Sequence, residues 1–65
     1  MDIIYGCQLK IESINSKYDF KFEIADSGDC SYSIINDGEW IWSGNEEEIL
    51  AFLIGVEFVK QKEMI

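Results

Sequence analysis

Apolar and polar residues alternate along the first two thirds of the chain. From Ile3 the odd positions read Ile3, Tyr5, Cys7, Leu9 and Ile11, against Gln8, Lys10 and Glu12 at even positions. A period of two predicts a half-buried strand over residues 3–11. Tyr18, Phe20, Phe22 and Ile24 repeat the pattern against Asp19, Lys21 and Glu23. Cys30, Tyr32 and Ile34 form a third run and residues 39–42 a short fourth.

Turn chemistry separates these runs. Asp26-Ser27-Gly28 and Asn36-Asp37-Gly38 each end in glycine after polar residues, which suits three-residue hairpin loops. Such loops set Ile24 opposite Cys30, Phe22 opposite Tyr32, Ile34 opposite Trp40 and Tyr32 opposite Trp42. Every large apolar residue then shares one face. A two-residue second loop, Asp37-Gly38, would instead turn Trp40 and Trp42 away from Tyr32 and Ile34. In the preferred register residues 14–17 form the first loop, and Cys7 and Cys30 flank Ile24 from strands one and three. Two strand spacings put them roughly 10 Å apart, beyond the ~7 Å reach of a disulfide. Free, buried thiols are therefore expected. The register also sets Lys10 opposite Lys21 and Glu12 opposite Asp19, an unfavourable pairing partly offset by the diagonals.

After Gly44 the period changes to that of a helix. Asn45 is a good N-cap, Glu48 completes a capping box, and Glu46 and Glu47 suit the positive end of the helix dipole. The helix is expected to run to about Met64. Ile49, Phe52, Leu53, Val56 and Val59 would cover the sheet. Leu50, Ile54 and Phe58 make a second apolar stripe, which one sheet cannot also cover. The fold expected is thus α+β, a four-stranded antiparallel β-meander followed by one C-terminal α-helix packed on the sheet. It would form a single ββββα domain over residues 1–65, dimerising through Leu50, Ile54 and Phe58.

The 65-residue length agrees with one domain and leaves it marginal without a disulfide, a metal or a partner subunit. With 48% hydrophobic and 14% aromatic residues, disorder is excluded. The start of the chain has no basic, apolar leader pattern. The longest apolar run, residues 49–56, contains Gly55 and stops at Glu57, too short for a bilayer. A cytoplasmic location is expected.

Charge and residue inventory narrow the function. The formal charge is −8 and neither histidine nor arginine is present. Direct nucleic-acid binding and anionic membranes are disfavoured, because both require clustered basic residues. No nucleophile with a matching base, phosphate loop, zinc set or complete calcium loop is visible. No enzyme activity, metal or cofactor is expected.

Between Lys21 and Lys60 the chain has no basic residue. An up-down meander would bring the loop carrying Asp26 and Asp29 to the same end as the helix start with Glu46, Glu47 and Glu48. Asp37 and Glu39 would form a second acidic group. Trp40 and Trp42, on the last strand, would fill the core or present an aromatic edge for a partner. A small acidic domain without an active site is the type of object that phages and mobile elements use as inhibitors, anti-CRISPR and anti-restriction proteins among them. The expected function is inhibition of a basic, nucleic-acid-binding host protein, by carboxylates that mimic nucleic-acid phosphates. The alternative is a homo-oligomeric structural or small-ligand-sequestering protein built on the apolar helix stripe. No motif places the chain in a named family.

Overall fold

The computed structural model describes residues 2–63. Its element order is α1 (Ile3–Lys17), β1 (Phe22–Gly28), β2 (Ser31–Asn36), β3 (Glu39–Gly44) and α2 (Glu46–Glu63). The expected four-stranded ββββα meander is therefore corrected to a helix, a three-stranded antiparallel meander and a second helix. The class remains α+β. The expected helix end at Met64 lies outside the described residues.

Helix α1 replaces the expected first strand because the segment carries two periodicities at once. Ile4, Cys7, Ile11, Ile14 and Tyr18 are spaced by three and four residues, which places all five on one helical face. As a strand the same segment would turn Ile4 and Ile14 to the polar side. The helix buries Cys7, Ile11 and Ile14 and sets Ile4 and Tyr18 against the core. It leaves Ile3, Tyr5 and Leu9, the other half of the alternation, exposed.

Asn15 ties α1 to the sheet. Its Nδ2 donates to the Phe22 carbonyl at 3.1 Å, and its Oδ1 accepts from the Phe22 N–H at 3.0 Å. The side-chain amide thus takes the place of a neighbouring strand at the first residue of edge strand β1. A similar device follows on the other side of that strand. Asn36 Oδ1 accepts from the Lys21 N–H at 3.0 Å, and the Asp37 N–H donates to the Lys21 carbonyl at 3.1 Å.

Both hairpin loops have two residues, not three. Asp29 and Cys30 have φ of 49° and 60°, and Asp37 and Gly38 have 53° and 82°. Two successive positive φ values are the signature of the mirror-image turn whose twist matches paired strands. The first turn therefore falls beyond Asp26-Ser27-Gly28. Gly28 itself has φ 86° beside a register shift between Asp26 and Gly28, where its N–H donates to Asp26 Oδ1 at 2.8 Å. The resulting pairs are Ile24 with Ile34 and Phe22 with Asn36, instead of Ile24 with Cys30 and Phe22 with Tyr32.

A second bulge decides the tryptophans. Asn36 pairs with Glu39 and Ile35 with Trp40, as a two-residue loop requires. The register then shifts at Ile41, so that Ile34 pairs with Trp42 and Tyr32 with Gly44. One extra residue turns the rest of the strand over. Trp42 joins Ile34 on the helix-covered face, whereas Trp40 lies on the opposite face with Ile35.

The two helices cover one face of the sheet, α2 over β2 and β3, α1 beside β1. The core consists of Cys7, Ile11 and Ile14 from α1, Phe22 and Ile34 from the sheet, and Ile49 and Leu53 from α2. Lys10 Nζ bridges to Glu57 Oε1 at 2.6 Å between the helices. Among the described residues no helix covers the other face, which carries a file of hydroxyls: Ser27, Ser33 and Ser43 are joined Oγ to Oγ at 2.8 Å each. Trp40 Nε1 donates into the same file, to Ser43 Oγ at 2.8 Å.

Helix α2 starts as expected. Glu48 N–H donates to Asn45 Oδ1 and Asn45 N–H to Glu48 Oε1, both at 2.9 Å, a complete capping box. Gly44 makes room for it, since a Cβ there would stand 2.8 Å from the Glu48 Cβ.

Candidate functional site

The topology sends several chain segments to one end of the molecule. Strand β1 finishes there at the Asp29-Cys30 turn, β3 finishes there at Gly44, and α2 begins there. Helix α1 also begins there, its Cys7 Sγ lying 3.9 Å from the carbonyl oxygen of Glu46. Asp2, Asp26, Asp29, Glu46, Glu47 and Glu48 therefore belong to this end. Among the described residues no lysine does. Lys10 is paired with Glu57 and Lys60 with Glu63; Lys17, Lys60 and Lys62 lie in the last turns of α1 and α2, and Lys21 lies just before β1, all toward the other end.

Tyr32 reports the gathering of charge. Burial, followed by the charges of Glu46, Asp26, Asp2 and Cys30, pushes its phenol above its ordinary pKa. Cys7 responds similarly: burial raises its thiol most, Glu46 adds to this, and Lys10 opposes it. Carboxylates from the start of α1, from β1 and from α2 thus act on common neighbours. Two helix N-termini lie at the same end, and their dipoles favour anions there.

The carboxylates are not equivalent. Glu48 is folded back into the capping box and Asp26 accepts from Gly28, so both help to hold the backbone. Glu47, Asp29 and Asp2 are exposed, and Glu46 is half-buried. Asp37 and Glu39 form no part of this pole. They sit at the β2–β3 turn, the opposite end of the sheet, near Lys21. Asp2 was not anticipated, because it joins the pole only once residues 3–17 are helical.

The apolar candidates also divide. Trp40 is 62% exposed on the uncovered face. Trp42 is 43% exposed but stacks on Phe52, with ring centroids 5.9 Å apart and planes 8° from parallel. The two do not form one aromatic edge. Leu50, expected in the oligomer stripe with Ile54 and Phe58, packs against the core on the side that α1 covers. Ile54 and Phe58 are 49% and 60% exposed, and Val59 is also exposed. Beside them runs an open apolar groove of about 470 Å³, lined by Phe20, Ala51, Phe52, Gly55, Val56, Val59 and Lys60. Sequence patterning missed the groove, because Phe20 reaches it from the segment between α1 and β1.

Both cysteines are free, for a reason other than strand spacing. Cys7 is buried in α1, and Cys30 is exposed in a turn rather than buried. Among the described residues no group of three or more His, Cys, Asp or Glu side chains could hold a metal ion. None of their helices is long and apolar enough to cross a membrane. No known protein family, curated protein or solved structure matches the chain.

Proposed function

We propose that the protein is a non-catalytic binding protein that docks its acidic pole on a basic, nucleic-acid-binding surface of a host protein. This is the mode of action of a small phage or mobile-element inhibitor. The observation that carries the reading is the segregation of charge. Carboxylates from three separate segments meet at one end of the molecule, while Lys17, Lys21, Lys60 and Lys62 belong to the other. A solvated helix cap accounts for Glu48 and a turn for Asp26. Neither requires Asp2, Asp29 and Glu46 to stand at the same pole. A field of one sign attracts a basic surface and orients the encounter.

The test uses carboxylates without a backbone-holding bond. A variant carrying Asp2→Lys, Asp29→Asn and Glu46→Lys keeps the capping box and the Asp26 turn. Wild type and variant are used to capture partners from a bacterial lysate, with circular dichroism as the check on folding. The expected outcome is a basic nucleic-acid-binding protein retained by wild type, displaced by a short DNA duplex and by about 0.5 M salt, and lost by the variant. Equal capture by both proteins would exclude the acidic pole as the binding surface. Capture of a partner that DNA does not displace would exclude mimicry.

A further inference from the structure

We propose that a second copy of the chain covers the exposed face of α2, as an antiparallel, two-fold symmetric helix pair. The exposed face of α2 is a stripe opposite its buried residues Ile49 and Leu53. It reads Glu47, Ala51, Ile54, Gly55, Phe58 and Lys62, all exposed and spaced so that they fall along one side of a helix. The apolar groove adjoins this stripe through Ala51 and Gly55.

The identity of the occupant follows from the stripe's own order. An antiparallel copy, centred between Ile54 and Gly55, sets Ile54 against the partner's Gly55 and Phe58 against the partner's Ala51. Each large side chain meets a small one, and Gly55 has open space around the position a Cβ would take. The same register sets Glu47, in the acidic first turn, against the partner's Lys62, in the basic last turn. A parallel pair would oppose Glu47 to Glu47 and Phe58 to Phe58, like charges and two bulky rings in one place. One register thus satisfies size and charge together, and it is the self-complementary one a two-fold axis requires. The six positions fit a second α2 more closely than a generic apolar segment, which would leave Glu47 and Lys62 unmatched.

The interface is distinct from the carboxylates tested above. It involves Glu47 alone among the acidic residues, so either proposal can fail without the other.

The test is sedimentation equilibrium of the full chain at concentrations from about 1 μM to about 0.5 mM, a range that brackets ordinary dimer affinities. Wild type is expected to reach twice its 7.5 kDa mass. Phe58→Glu should weaken the dimer about a hundredfold, as loss of a central hot spot does. Gly55→Leu provides a check that misfolding cannot mimic. It improves the helix propensity of the monomer, raising its stability, yet fills the space the partner's Ile54 needs, so the dimer should weaken. Glu47→Lys should weaken it about tenfold, and adding Lys62→Glu should restore it. A wild type that remains monomeric throughout would overturn the proposal. So would a dimer unmoved by Phe58→Glu and Gly55→Leu, or assembly beyond two copies.

Discussion

At the scale of residues, the most exposed conformational tension lies in the first hairpin turn. Asp29 and Cys30 both occupy the left-handed region, where an L side chain costs about 1–2 kcal/mol. Aspartate tolerates that region better than most residues, and cysteine has no such excuse. The second turn solves the same problem with Asp37-Gly38. Cys30→Gly should therefore stabilise the protein by about 0.5–1 kcal/mol, after allowing for glycine's greater freedom in the unfolded chain. Thermal unfolding followed by circular dichroism should show a midpoint higher by roughly 4 °C. A lower midpoint would mean that the turn is not of the two-residue, doubly left-handed kind. The left-handed pair falls on Asp29-Cys30, a dipeptide without the glycine that marks such a turn in sequence. Gly28 attracts the turn assignment, yet it serves the bulge immediately before it.

Among the elements, α2 depends on a cap that three residues build together. Gly44, Asn45 and Glu48 form a unit, because the reciprocal bonds at 2.9 Å need Glu48 to fold back over a residue without a side chain. Asn45→Ala should cost about 1 kcal/mol. Gly44→Ala should cost about as much, because its Cβ displaces Glu48. Since both substitutions disable the same cap, their effects should fall short of additivity in the double variant. Urea denaturation of the two single variants and the double variant reads this directly. Full additivity would separate Gly44 from the cap. The role of Glu48 in the unit is also why reversing its charge would confuse a test of the acidic pole with a loss of helix stability.

At the scale of the whole molecule, a small core holds a strongly charged body. Among the described residues seven buried side chains form the core, while the formal charge is −8. The carboxylates of Asp2, Asp26, Asp29, Glu46 and Glu47 repel one another at one end. The lysines at the far end lie too distant to neutralise them within a Debye length at ordinary salt, about 8–10 Å. Screening should therefore stabilise the fold. Raising sodium chloride from about 20 mM to about 300 mM should lift the unfolding midpoint by roughly 3–5 °C. The Asp2→Lys, Asp29→Asn, Glu46→Lys variant should show a smaller rise. An equal rise in the two proteins would place the repulsion elsewhere.

Local chemistry was sufficient wherever a signal had a single reading. Asn45 and Glu48 can do little else at that spacing but cap a helix, and the start of α2 followed from them. The alternation of residues 30–42 implied paired strands, and the glutamates at the head of α2 implied an acidic end. Tertiary structure decided the rest, for reasons that can be assigned. Residues 3–18 satisfy both a period of two and a spacing of three and four. Only the presence of α2 and β1 as neighbours makes burial of Cys7, Ile11 and Ile14 together the better solution. The bulge at Ile41 has no local mark, since it depends on Trp42 finding Phe52 across the core. The groove beside Phe20 and the membership of Asp2 in the acidic pole follow only from where α1 lies. Patterning determines which faces of an element are apolar. Which neighbour covers each face depends on contacts between residues far apart in the chain.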